Sequence, residues 1–312
     1  MKEIEIPIII IQGPTAVGKS KLALDLANRL ESEIISADSR QVYKYLDIGT
    51  AKPSMSEREQ VKHWLIDVVP PDMNFSAGDF IEKATEIIHK MNKNNKIPII
   101  VGGTGFYIKA LLKGLFKSPE VPKNIREELM KESEEKGLEY LYERLEKIDP
   151  TSAKRIDSND INRVIRALEI YEASGKTITK LWQENPPDKN ALNPFNILLL
   201  DERQSIYSRI NQRVDSMVAN GLVEEVRHLL NKGYTPSDPG MNTVGYREFF
   251  PYINGDREQN RCIEKIKQNT RNYAKRQLTW YRKIDFDLTL KVKNVNVLEI
   301  IDKIEKWRNS RW

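Results

Sequence analysis

Eight residues near the N-terminus constrain this chain more than any other stretch. Gly13, Pro14, Thr15, Ala16, Val17, Gly18, Lys19 and Ser20 fill the pattern G-x-x-x-x-G-K-[ST] at every fixed position. Upstream, residues 6–11 are apolar and mostly β-branched, as a buried parallel strand requires. Downstream, Leu22, Leu24, Leu26, Ala27 and Leu30 begin a helix. Strand, glycine loop and helix together turn backbone N–H groups and a helix N-terminus toward phosphate. Lys19 adds a point charge and Ser20 a hydroxyl suited to Mg²⁺. A di- or triphosphate compound therefore binds here. The loop alone does not say which compound, or which bond breaks.

The following segments extend the same theme. Residues 33–37 read as a second strand, with Asp38, Ser39, Arg40 and Gln41 just past its C-terminal end, where open α/β sheets bind ligands. Residues 64–69 read as a third strand. Ser76 caps a helix through about residue 91, and residues 97–101 form a fourth strand ending in Gly102-Gly103-Thr104-Gly105. Alternating strands and helices predict an α/β fold with a doubly wound parallel sheet. After Gly114 the chain becomes charged, helical and strandless, until the breaker Asn185-Pro186-Pro187-Asp188 and a returning apolar strand at 195–200. The expected organisation is a discontinuous core, 1–119 and 196–312, carrying an all-helical insertion at 120–195. Within the insertion Asp160 caps a helix whose inward face is Ile161, Val164, Ile165 and Leu168. Asn162, Arg163, Arg166 and Glu169 are expected to face outward.

A long helix at 205–232, which Gly221 can break, carries Arg209 and Arg213 as neighbours one turn apart. They either clamp a diphosphate or form a solvated edge. Residues 257–284 hold nine Lys/Arg against two Glu, a net of +7, whereas the whole chain carries only +5. Tyr273, Trp280 and Tyr281 interleave with these charges, which marks either a nucleic-acid face or a solvated helix packing its rings inward. Nothing in the sequence is long and apolar enough for a membrane span, and no signal peptide is expected. One cysteine, Cys262, excludes an internal disulfide and fits a reducing compartment. Three scattered histidines make a zinc site implausible.

A P-loop belongs to kinases, ATPases and GTPases, each of which needs further parts. Asp38, Asp67 and Asp201 all have the strand-end position of a metal-holding carboxylate, and no guanine-reading N-K-x-D is present. Asp38 either serves the bound phosphates and an attacking group or merely closes an Asx turn; Thr104 carries the same alternatives. A small-molecule kinase, a non-catalytic RNA-binding NTPase and a transferase using another diphosphate remain open on these residues.

Taken together, nine stretches resemble the tRNA dimethylallyltransferase (tRNA isopentenyltransferase) family. They are GPTAVGKS (13–20), ISADSRQVY (35–43), DIGTAKP (47–53), HWLID (63–67), GGTGFYIKAL (102–111), NRVIRALEIYEASGKT (162–177), RINQRV (209–214), VGYREF (244–249) and YAKRQLTWYR (273–282). They run through nearly the entire chain in the family's order. The likeness is to the bacterial type, without the zinc finger of eukaryotic relatives. It implies transfer of a dimethylallyl group from dimethylallyl diphosphate to the exocyclic amine of adenosine 37 in the tRNA anticodon stem-loop. It further implies that the loop 13–20 holds the prenyl diphosphate, with Mg²⁺ on Ser20. Asp38, Thr104 and Arg213 become the catalytic set. The tRNA contacts become Asp38, Ser39, Arg40, Gln41, Thr104, Arg126, Asn162, Arg163, Val164, Ile165 and Arg166. A cytoplasmic monomer without membrane contact is expected.

Overall fold

The computed structural model describes residues 5–116, 118–187 and 190–310. Asp188, at the end of the expected breaker, and residues 1–4 ahead of the first strand lie outside these. The chain forms two compact units, Met1–Leu112 with Ala191–Trp312, and Lys113–Asn190.

The first unit is built on a six-stranded sheet in the order β3-β2-β4-β1-β5-β6, with every neighbouring pair parallel. From the N-terminus its elements are β1 (Ile6–Gln12), α1 (Lys19–Arg29), β2 (Ile34–Ser36), α2 (Met55–Gln60), β3 (His63–Trp64), α3 (Ala77–Lys93), β4 (Ile99–Val101) and α4 (Gly105–Lys113). The second unit contributes α5 (Lys123–Lys136), α6 (Leu138–Ile148), α7 (Pro150–Ala153), α8 (Ile161–Ser174) and α9 (Ile178–Glu184). The chain then returns with β5 (Leu192–Leu200), α10 (Arg203–Ala219), α11 (Leu222–Asn231), α12 (Phe250–Ile253), α13 (Gln259–Tyr281), β6 (Leu288–Lys291) and α14 (Val297–Asn309).

Strand β1 is central because both of its faces are buried. Ile8 and Ile10 pack under α3 and α4 with Phe80, Ile88 and Leu111; Ile9 and Ile11 pack under α1 and α14 with Leu26 and Ile304. The alternation of side chains along a strand divides the isoleucine run between two hydrophobic layers. β4 lies on one side of β1 and β5 on the other, so the strand order reverses there. Open parallel sheets bind ligands at such a reversal, outside the carboxyl ends of the strands. The loop 13–20 leaves β1 at that point.

Two expectations change and an open one is settled. The 64–69 strand shrinks to His63–Trp64, because Leu65 and Asp67 take positive φ of 61° and 58° and the chain turns out of the sheet. Val68 and Val69 instead bond the carbonyl of Val42, while Asp67 is drawn to Lys52 and Arg58. Gly221, at φ 96°, does break its helix, separating α10 from α11. The sheet also ends in a strand absent from the sequence reading, β6, followed by α14. Among the described residues no helix is long and apolar enough to cross a membrane.

In the second unit, Leu129, Leu141, Leu145, Val164, Ile165 and Leu168 form a separate core. Glu169 is buried rather than outward-facing, at 3% exposure, because it accepts from both Arg126 (3.2 Å) and Arg166 (2.6 Å).

Candidate active site

A cavity of about 780 Å³ opens above the carboxyl ends of β1, β2 and β4, lined among others by Lys19, Ser20, Asp38, Arg213, Tyr273 and Arg276. Its floor is the glycine loop. Gly13 has no room for a side chain, since a Cβ there would sit 2.3 Å from the Leu199 carbonyl oxygen. Val17 turns into the core, anchoring the loop. Gly18, left-handed at φ 99°, precedes α1 without any side-chain cap, so the first amides of that helix remain free for an anion. Ser20 is exposed one residue into the helix.

Lys19 Nζ donates to the Pro14 carbonyl at 2.8 Å. Burial, with repulsion from Arg213, pulls its pKa down to about 7; Asp38 opposes this. An ammonium this poorly neutralised is suited to a polyanion. Arg213 is also lowered by burial and partly restored by Asp38. Its Nη1 donates to Thr15 Oγ1 at 3.1 Å, which places the guanidinium at the loop. Arg209, one turn earlier, has a different job. It bonds Asp201 (2.7 Å) and the Ala16 carbonyl (2.9 Å), bracing the loop at the cleft wall.

Asp38 combines both alternatives left open by the sequence. Its Oδ1 closes a turn by accepting from the Arg40 and Gln41 amides at 2.8 and 3.4 Å. The residue nevertheless lines the cleft, close enough to Lys19 and Arg213 to shift both. Ser39 donates its amide to Thr104 Oγ1 at 3.0 Å, so Thr104 holds the Asp38 loop in place from β4. Arg40 reaches the Pro239 carbonyl at 3.1 Å. Gln41 is committed to Ser36 Oγ and to the carbonyls of Thr50 and Ala51. The other two strand-end carboxylates are unavailable to a metal: Asp67 is ion-paired with Lys52 and Arg58, and Asp201 with Arg209.

The basic helix α13 is divided by face. Gln277 Oε1 accepts from the Thr15 amide at 2.8 Å, while its Nε2 donates to the Gly103 carbonyl at 2.9 Å. Tyr281 donates to the Gly13 carbonyl at 3.1 Å, and Tyr273 to Gly103 at 3.3 Å. Burial, with the Asp38 charge adding to it, pushes Tyr273 up to about 12, so its hydroxyl stays protonated. Arg276 lies over the Tyr273 ring at 5.8 Å and, like Lys275, is exposed. The rings therefore pack against the loops, while Lys275 and Arg276 stay exposed, the latter also lining the cleft. Gln277 escaped the sequence reading, as a single polar residue among many on a basic helix.

In the second unit, Arg126 bonds Asn162 Oδ1 at 3.2 Å, Arg166 bonds Ser118, and Arg163 pairs with Asp160. These side chains form one polar surface. Val164 and Ile165 do not join it: both are fully buried, so their side chains support α8 rather than meet a ligand.

A glycine loop leaving the central strand of an all-parallel sheet, with two cations facing a carboxylate above it, defines a P-loop phosphate-binding protein. More narrowly, the chain belongs to the IPP transferase family, whose model matches residues 41–284. A tRNA dimethylallyltransferase of Thermoanaerobacter pseudethanolicus is 48% identical over 90% of each chain, and one of Geobacter metallireducens 46% identical over 88% of this chain and 89% of that one. The crystal structure of a Staphylococcus epidermidis tRNA delta(2)-isopentenylpyrophosphate transferase superposes with TM-score 0.70, 37% identity and 99% and 100% coverage. A eukaryotic dimethylallyltransferase captured acting on tRNA gives TM-score 0.78 at 29% identity, over 92% of this chain and 74% of that one.

Proposed function

We propose that this enzyme transfers the dimethylallyl group of dimethylallyl diphosphate to the exocyclic amine of adenosine 37 in tRNA. The observation that carries this reading is the position of Asp38, within electrostatic reach of both Lys19 and Arg213 over a phosphate loop. A base and a diphosphate cradle share one cavity. The amine nitrogen attacks the first carbon of the donor, the C–O bond to diphosphate breaks, and Asp38 takes the amine proton. Lys19, Arg213 and the free amides at the start of α1 stabilise the departing charge. The adenine must leave its stack to enter the cleft.

Mg²⁺ fits this site on one condition. Among the described residues no cluster of three or more His, Cys, Asp or Glu can hold a metal; of those lining the cleft Asp38 is the one carboxylate, with the Ser20 hydroxyl at the start of α1. That donor set suits an ion held mainly by diphosphate and water. Bound in that way, Mg²⁺ supplies charge neutralisation. Arg126, Asn162, Arg163 and Arg166 form the polar surface we assign to the anticodon stem, and the exposed basic side of α13 a second one. Residues 38–41 and Thr104 frame the entering base. The lone thiol, Cys262, suits the cytoplasm.

Mass analysis of tRNA incubated with dimethylallyl diphosphate tests the proposal. A gain of one prenyl mass on an anticodon-loop adenosine is expected. Nucleotide hydrolysis with unmodified RNA, or phosphorylation of a small molecule, would replace it with another P-loop activity.

A further inference from the structure

The loop carrying residues 47–51 walls the cleft through Gly49, Thr50 and Ala51. It is tied from behind by two residues distant in sequence. Glu225, on α11, accepts from the amides of Asp47, Ile48 and Gly49 at 2.9–3.3 Å. Three adjacent amides converging on one carboxylate is a charge-assisted arrangement that fixes a turn firmly. Tyr246 completes it: its hydroxyl accepts from the Gly49 amide at 3.1 Å and donates to Glu225. The Tyr246 ring is fully buried, and burial together with the Glu225 charge keeps its hydroxyl protonated. The fit against the loop is close, since a Cβ on Gly49 would lie 2.3 Å from the ring.

This tie continues toward the reacting groups. The carbonyls of Thr50 and Ala51 accept from Gln41 Nε2 at 3.3 and 3.1 Å. The Gln41 amide in turn donates to Asp38 Oδ1, beside that of Arg40. On the outer side, buried Lys52 bonds the Tyr43 carbonyl, Asp47 and Asp67, which closes the hairpin on itself. The loop is therefore tied on two sides, by Glu225 and Tyr246 behind it and by Lys52 on the outside.

We propose that Glu225 and Tyr246 are positioning residues for Asp38, acting through the 47–51 loop and Gln41. This rests on the reading of Asp38 as the base. Neither residue lines the cleft, so neither touches the groups that react there. Their contribution is to the orientation of the carboxylate when the amine attacks, where small misplacements are costly.

The test is a double-mutant cycle read by single-turnover prenyl transfer, with donor and tRNA affinities and melting temperature measured on each variant. Tyr246→Phe keeps the ring and removes only the hydroxyl; Glu225→Gln keeps the shape and removes the charge. Each is expected to slow transfer about tenfold or more while leaving both affinities within twofold. In an Asp38→Asn background the same changes are expected to have no further effect. A persisting loss in that background overturns the proposal, because the two residues then act without Asp38. Wild-type rates for both single variants, with Asp38→Asn slow, also overturn it and leave the base assignment standing. If Asp38→Asn itself transfers at the wild-type rate, both the base and its positioning fail.

Discussion

The backbone amide of Thr15 donates to Oε1 of Gln277 across 2.8 Å. One N–H of the phosphate loop is thus held by α13, 262 residues away in sequence, and the same Gln277 side chain also satisfies the Gly103 carbonyl. The phosphate loop, the loop after β4 and the basic helix are one hydrogen-bonded unit.

Gln277→Leu should therefore destabilise the protein by about 1–3 kcal/mol, because it strands a donor and an acceptor at a buried position. It should also weaken binding of dimethylallyl diphosphate. Urea unfolding and donor titration check both; unchanged values would show that the loop holds its shape without the helix.

Lys19 leads to a pH dependence. In the free site its pKa is about 7. A bound diphosphate raises it, so the complex holds a proton that the free protein has lost. Donor affinity should fall as pH rises from 7 to 9, by up to about tenfold per unit as that proton has to be recruited. Calorimetry in buffers of different ionisation enthalpy should show proton uptake near pH 8. Lys19→Ala should abolish the uptake and weaken binding by about 1.5–3 kcal/mol. A pH-independent affinity between 7 and 9 would mean that Lys19 is charged throughout.

Much of this site was legible in the sequence, for physical reasons that differ from residue to residue. The loop 13–20 is read locally, because glycines, lysine and hydroxyl act through backbone geometry set by their own spacing. Gly221 is similar: the sequence marks the break and the structure puts it at a left-handed φ. Arg209 and Arg213 were indistinguishable, since helical spacing makes them equivalent; only Asp201, from the end of β5, commits the first to bracing the loop. Glu169 defeats the helical wheel because Arg126, from α5, and Arg166, one turn back on α8, both pair with it, and paired charges can be buried. The short β3 was misjudged because Asp67 answers to Lys52 and Arg58 rather than to the sheet.

The exposed side of α13 should supply sequence-independent RNA affinity. Binding of tRNA should fall linearly with log salt, as neutralised phosphates release counterions. Reversing Lys275 and Arg276 together should weaken all tRNAs about equally and flatten that slope. Both residues are exposed, so the fold should tolerate the change. Unaltered affinity in the double variant would confine RNA binding to other surfaces.

The central claim is that Asp38 takes the proton of the attacking amine. That amine is a weak nucleophile, its lone pair being delocalised into the ring, and a positioned base is worth about 10²–10⁴-fold. Asp38→Asn is close to isosteric with the native side chain and its Oδ1 can still accept from the Arg40 and Gln41 amides, so the loop should stand. The decisive measurement is the single-turnover rate of prenyl transfer by Asp38→Asn at saturating dimethylallyl diphosphate and tRNA. A rate lowered by about a hundredfold or more, with both affinities near wild type, is the predicted result. Transfer at the wild-type rate would contradict it and move the base elsewhere in the cleft.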